Sequence, residues 1–376
     1  MKYFDHAATS PIDDDALLTY VKVSKEFFGN TNSLHDAGGA ANSLLEQCRA
    51  ELANILAVNK RGIYFTSGGT ESNIIAIYAL LSAKKHSGNH IITSLGEHSS
   101  IMNIMKRLET EGFRISYLPF TSNGTIDVEA FKKEITPETV LAIIQNGNSE
   151  IGTIQPIREI ARICKNEKIY FHTDCVQTFG KIDLKPVATI VDSLSISGHK
   201  FNGPKGVGAL FIHPAIATKP LFPNGTHERG VRSGTVNLPG IAAMTVAAQK
   251  SVQQLNINKE HYKKLRQSFL TYLQPINDRT RVFGSTSDEQ LPGIVGLAIT
   301  GIEGQWIMLE CNRLGFAIST GSACQVGKQA LANSMLALKV NKQTSKEFIR
   351  ISFGTDTTVE DVKQLADSLI HIVSGK

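Results

Sequence analysis

The sequence predicts an α/β fold, a largely parallel sheet covered by helices, followed by a smaller α+β region. Two observations predict it. Through the middle of the chain, short apolar runs alternate with amphipathic stretches, and each run ends in polar residues. After about residue 255 this gives way to a polar helical stretch and a second set of strands. With 376 residues, 41% of them hydrophobic and 19% charged, the chain supports a packed core and is not a disordered protein.

The runs at 62–67, 90–94, 141–146, 169–174 and 192–197 read as strands, with helical stretches such as 71–83 and 157–167 between them. In a parallel sheet of this kind the ligand site lies beyond the C-terminal strand ends, so chemistry is expected where the runs turn polar. In the second region, 258–273, 303–314 and 358–373 read as helices and 291–300, 315–319 and 348–354 as strands. The expected division is a large domain over 15–255 and a small α+β domain made of 1–14 with 256–376.

The formal net charge of +5, from 39 basic and 34 acidic residues, comes without a Lys/Arg block and argues against direct nucleic-acid binding. No apolar run is long enough to span a bilayer, and the opening MKYFDHAATS has no apolar secretory core. A cytoplasmic protein with no membrane partner is expected. The five cysteines, Cys48, Cys164, Cys175, Cys311 and Cys324, include no Cys-x-x-Cys pair, so no zinc or dithiol redox site is expected.

Three stretches carry chemistry. In SGHKFNGPKGVGAL (197–210), Lys200 emerges where a strand ends and a Gly/Pro-rich loop begins, a plausible site for a Schiff base. Taken alone, it also reads as a surface lysine before a turn. In YFTSGGTESN (64–73), Gly68 and Gly69 lead into a helix starting near Thr70, whose free N–H groups and hydroxyl make an anion cradle. No Gly-Lys-Ser/Thr follows, so this is not a nucleoside-triphosphate loop but suits a single phosphate. In FHTDCVQTFGK (171–181), Asp174 at a strand end, with Gln177 after it, can pair with a pyridinium nitrogen or simply cap a helix.

Together with these three, FDHAATSP (4–11), FGNTNSLH (28–35), GEHSS (96–100), GNSEIG (147–152), HERGVRSGT (227–235), STGSAC (319–324) and IRISFG (349–354) form a collinear set over nearly the whole chain. The set resembles the NifS/IscS-like cysteine desulfurases, in the class V aminotransferase family of fold-type I pyridoxal-phosphate (PLP) dependent transferases. That resemblance implies a mostly parallel seven-stranded sheet, pyridoxal 5'-phosphate as cofactor, L-cysteine as substrate, a sulfur-acceptor protein as partner, and a homodimer. It gives Lys200 the cofactor linkage and the Cα proton, His98 the pyridine face and acid–base steps, and Asp174 the ring nitrogen. Gln177 and Asn148 fall to the phenolic oxygen side, and Gly69, Thr70, Ser197 and His199 to the phosphate. Thr235 reaches the phosphate in the neighbouring subunit, and Arg350, with Asn30 nearby, grips the substrate carboxylate through its planar two-pronged donor.

By the same resemblance, Cys324 takes the sulfur of cysteine as a persulfide and leaves alanine. It lies in GSACQVGKQALANS (321–334), a small and polar stretch that suits a mobile loop. An ordinary thiol is only about 3% thiolate at pH 7, so local activation is expected. Metal binding is expected at most as a transient iron–sulfur contact of Cys324.

The chain departs from the family at Ser149, Thr31 and Cys175, none a predicted cofactor contact. It ends soon after its last predicted helix, where general iron–sulfur suppliers often continue, which favours a dedicated acceptor such as an iron–sulfur enzyme or a tRNA-thiolation enzyme. The rival readings are another reaction on this fold, aminotransferase or selenocysteine lyase, and a scaffold homologue without catalysis.

Overall fold

The computed structural model describes residues 1–375 apart from 85–87, 220–224, 286–288 and 321–331. Its strands in chain order are β1 (Lys2–Tyr3), β2 (Ile63–Thr66), β3 (His90–Ser94), β4 (Arg114–Leu118), β5 (Thr139–Ile143) and β6 (Tyr170–Asp174), then β7 (Ser193–Ser197), β8 (Gly208–Ile212), β9 (Thr280–Phe283), β10 (Ile294–Ile299), β11 (Phe316–Ala317) and β12 (Phe348–Ser352).

Seven of these form one sheet in the order β2-β8-β7-β6-β5-β3-β4. Only β8 runs against the rest, pairing antiparallel with both β7 and β2. Strands β3, β5 and β7 are buried at every residue, as expected where helices cover both faces. The side chains of β3, β5 and β8 alternate between two cores. Ile91, Leu141, Ile143 and Leu210 join the Gly69–Ala83 and Ser99–Thr110 helices on one face. Ile92, Ala142, Ala209 and Phe211 join the Asp36–Leu56, Ile157–Asn166 and Leu238–Gln253 helices on the other.

A second, antiparallel sheet in the order β12-β10-β9 packs with the Leu255–Tyr272 and Val359–Ser374 helices around Leu265, Phe269, Leu297, Ile349, Leu365 and Leu369. The N-terminal strand belongs with it. β1 pairs parallel with β11, and Phe4 lies in the same core. From there the chain runs along β12, with Ser352 N–H donating to Phe4 O and Ala7 N–H to Ser352 Oγ, and reaches the C-terminal strand ends of the large sheet. Residues 5–10 thereby bridge the two sheets.

Candidate active site

The strands deliver their polar ends to one place. Beyond β2, β3, β6 and β7 lies a cavity of about 330 Å³, and Gly69, Thr70, His98, Asp174, Gln177, Ser197, His199, Lys200 and Arg350 all line it. These nine expected residues come from five separate segments of the sequence.

Gly68 takes a φ of +150°, which an L side chain rarely adopts, and it turns β2 into the Gly69–Ala83 helix. A Cβ on Gly69 would stand 2.7 Å from Val176 Cγ2 and 3.6 Å from Ser197 Cβ, so the helix start is bare backbone facing two cavity residues. The free N–H groups of that first turn, with Thr70 at the cavity wall, form an anion-binding surface.

Lys200 follows β7 in a single 3-10 turn over Gly198–Lys200. Its Nζ donates to Ala7 O at 2.6 Å and Ala8 O at 2.8 Å. Gln177 Nε2 also donates to Ala7 O, and His199 Nδ1 meets Thr9 Oγ1 at 3.1 Å. The N-terminal segment is thus one wall of the site. Asp174 accepts from Val176 N–H at Oδ1 and from Asn73 Nδ2 at Oδ2, at 2.9 and 2.8 Å.

Arg350 enters from β12. Its guanidinium donates to Ser149 O at 3.0 Å and to Asp5 Oδ1 at 2.6 Å, while Nε is buried with no partner among the described residues. Behind Lys200, a further cavity of about 30 Å³ is lined by His6, Lys181, Tyr262 and Phe353 among others.

The electrostatics follow from burial among cations. Burial, with Lys200 and Arg350 close by, pushes Lys181 down to about 7. Burial, then the charges of Lys200, Lys205 and Lys181, pushes His199 down to about 4. His98 is also lowered, first by burial, with Asp174 opposing and Lys200 adding. Glu97 is pushed up to about 8 by burial against its hydrogen bonds from Ser94 and Gln145, with Asp174 adding.

Three expected residues do not line this cavity, and a fourth falls outside the described residues. Asn148 is buried; its Oδ1 accepts from Glu150 N–H, Ile151 N–H and the Ser334 hydroxyl, and its Nδ2 donates at 3.4 Å to the carbonyl of Gly96, which lines the cavity. Asn30 is exposed and caps its own turn through Asn32 N–H. Thr235 lines a separate small recess with Thr66, Ser67 and Arg232. Cys324 lies outside the described residues.

The sequence reading assigned nothing to Asn73, Lys181, Glu97 or Asp5. Each stands inside a stretch quoted for a neighbour, and the available signal was a polar residue within an otherwise apolar or motif-rich run. Among the described residues no group of three or more His, Cys, Asp or Glu side chains could hold a metal ion, and no helix is long and apolar enough to cross a membrane.

Comparison with known proteins matches residues 2–365 to the aminotransferase class-V family. A protein of Bacillus subtilis strain 168 bearing the NifS name is 45% identical over 366 residues, 97% of this chain and 93% of its own. The cysteine desulfurase IscS of Dictyoglomus turgidum is 37% identical over 371 residues, 99% of this chain and 94% of its own. A solved NifS-like protein superposes with a TM-score of 0.92 at 32% identity, covering 100% of both chains. The fold, the strand-end cavity and these relatives together make the chain a member of the aminotransferase class-V family, on its NifS/IscS cysteine desulfurase branch.

Proposed function

We propose that this chain is a pyridoxal 5'-phosphate dependent cysteine desulfurase that converts L-cysteine to L-alanine and passes the sulfur to an acceptor. The observation that carries the reading is the convergence of Lys200, Asp174, His98 and Arg350 on one cavity. The donor set fits the cofactor. The bare helix start at Gly69 is a cradle a Cβ would fill, and the Asp174 carboxylate and the Lys200 amine line the same cavity. When bound, the cofactor supplies an electron sink for the bond being broken at the substrate.

Gly69, Thr70, Ser197 and His199 would hold the phosphate, with Thr235 serving the phosphate of a second subunit in a homodimer. Asp174 would face the ring nitrogen, His98 the ring, and Gln177 with Asn148 the phenolic oxygen. Lys200 would anchor the cofactor and exchange the proton at the substrate Cα. Its Nζ is held by two carbonyl oxygens, Ala7 O and Ala8 O, which aim the amine without neutralising it.

Arg350 would take the substrate carboxylate, with Asn30 on the approach. Two of its nitrogens are engaged and, among the described residues, Nε is not, so a carboxylate can displace Asp5 and gain a two-pronged partner. Cys324 would attack the substrate sulfur. The new S–S bond forms as the substrate C–S bond breaks, leaving a persulfide on Cys324 and alanine. The persulfide then goes to an acceptor in iron–sulfur assembly, thio-cofactor synthesis or tRNA thiolation, in the cytoplasm.

The test is anaerobic incubation of the purified, cofactor-loaded protein with L-cysteine and a reducing thiol. Equal amounts of alanine and sulfide, in excess over enzyme, are expected. Cys324→Ala keeps the cofactor absorption and loses persulfide. A loaded protein that makes no alanine, or a Cys324→Ala variant that transfers sulfur normally, overturns the proposal.

A further inference from the structure

The desulfurase reading leaves open on which nitrogen His98 holds its proton. Asn73, one helical turn into the Gly69–Ala83 helix and 1% exposed, has every hydrogen-bonding position filled. Its Nδ2 donates to Asp174 Oδ2 at 2.8 Å and to Ser100 Oγ at 3.0 Å. Its Oδ1 accepts from Ser195 Oγ at 2.5 Å and meets His172 Nε2 at 3.1 Å.

The carboxylate of Asp174 accepts only, so the NH₂ must face it and the amide has one orientation. His172 therefore carries its proton on Nε2, and its Nδ1 is left to the Ser193 hydroxyl at 2.5 Å. Ser100 Oγ accepts from Asn73, so its own hydrogen is free to point at His98 Nδ1, 2.9 Å away. The same Nδ1 accepts Ser100 N–H at 3.2 Å, as the N-cap of the Ser99–Thr110 helix. Two donors on one ring nitrogen leave no room for a proton there. Among the described residues Nε2 makes no hydrogen bond, and His98 lines the main cavity.

We propose that Asn73, acting through Ser100, locks His98 as the neutral Nε2–H tautomer, so that any proton His98 exchanges with bound substrate passes through Nε2. Asn73 and Ser100 are positioning residues, and the same amide holds Asp174 in place. The proposal takes its purpose from the desulfurase reading but not its test. The charged and titratable groups facing His98 are Asp174, Lys200, His199 and the adjacent Glu97.

The experiment is nitrogen NMR of the full-length holoenzyme labelled at histidine, followed against pH. His98 Nδ1 is expected to resonate as a bare, accepting nitrogen and Nε2 as a protonated one. In Asn73→Ala the Ser100 hydroxyl is freed to turn and accept, and in Ser100→Ala it is gone. Each variant is expected to raise the His98 titration midpoint by about one pH unit, the worth of one hydrogen bond to the neutral ring. If Asn73→Ala does not fold, Asn73→Ser is read in its place.

A proton on Nδ1 in the unaltered protein overturns the proposal, and so does a midpoint that moves in only one of the two variants or in neither. The resonances are also readable in protein stripped of cofactor. A chain that binds no pyridoxal phosphate therefore defeats the desulfurase reading while leaving this assignment to be judged on its own result.

Discussion

The two ends of the cavity are built differently. At the Asp174–His98 end, both carboxylate oxygens of Asp174 accept hydrogen bonds, and the Asn73 amide that holds one of them is itself fully engaged. At the Arg350 end, the guanidinium rests on one carbonyl and one carboxylate, and its Nε has no partner among the described residues. A saturated network has one arrangement, whereas an undersatisfied cation can trade partners. The difference teaches which end is set before ligand arrives and which end changes when it does. A permanent cofactor suits the first, and a substrate that comes and goes suits the second.

The largest effects are expected where the network is complete. Asp174→Ala leaves Asn73 Nδ2 and Val176 N–H without their acceptor and removes the carboxylate from the cavity wall. Alanine formation is expected to fall by at least about 10³-fold, in the range for losing a group acting in the chemical step. Arg350→Lys keeps a cation and loses the planar fork. It is expected to raise KM for cysteine by about tenfold or more, the worth of one charge-assisted hydrogen bond, with kcat changed far less. Steady-state kinetics of both variants, at matched cofactor loading, checks this. If Arg350→Lys lowers kcat as much as Asp174→Ala, the two ends do not differ.

Much of this arrangement was legible in the sequence, because strand-end chemistry leaves local marks. Lys200 precedes a Gly/Pro-rich loop, Asp174 terminates an apolar run, and Gly68-Gly69 opens a helix, whereas His98, Ser197, His199 and Arg350 are marked only by the family resemblance. What was illegible depended on distance along the chain. Asn73 and Asp174 are 101 residues apart, and Arg350 and Asp5 are 345 apart. A buried amide or carboxylate has no periodicity to reveal its partner. The large sheet was incomplete for another reason. β4 is an edge strand, RISYL, with an exposed arginine and three half-buried residues in place of a continuous apolar run. β8 hides behind the glycine-rich loop that drew attention to Lys200, and it runs against the other strands. Asn148 carried no local mark and came only through the family resemblance; its oxygen is taken by the turn over Glu150 and Ile151, while its Nδ2 faces Gly96 O.

Lys181, in the small cavity behind Lys200, feels the charges of both Lys200 and Arg350 and sharpens the comparison through pH. Its pKa is depressed to about 7 in the folded protein, by burial and by Lys200 and Arg350, against about 10.4 in an unfolded chain. Between those values the unfolded state binds more protons, so this group makes stability rise with pH, by at most about 1.4 kcal/mol per pH unit. Below about 7 both states hold the proton, and the destabilisation from burying the cation is fully present. Glu97, raised to about 8, works in the opposite sense, its contribution being lost as pH climbs through that value. The difference between the protein and Lys181→Met isolates the lysine. Urea unfolding at pH 6 to 10 should show Lys181→Met gaining stability relative to the parent at the acid end, with the gain vanishing at the alkaline end. A difference that does not change with pH would mean that Lys181 keeps its charge when buried, supported by partners beyond Gln177 Oε1 at 3.2 Å.

The smallest effect tests the exchange itself. Asp5 holds Arg350 at 2.6 Å, with the arginine side chain only 5% exposed, so an incoming carboxylate must compete with a charge-assisted bond already made. Asp5→Asn keeps an oxygen for the guanidinium and removes the competing charge. KM for cysteine is expected to fall about two- to fivefold with kcat unchanged, because a neutral acceptor gives up roughly half of the bond's strength. A rise in KM would assign Asp5 the opposite task, that of orienting Arg350 for its ligand. The Arg350 end would then be as fixed as the Asp174 end, and the unpartnered Nε alone would be left to receive the carboxylate.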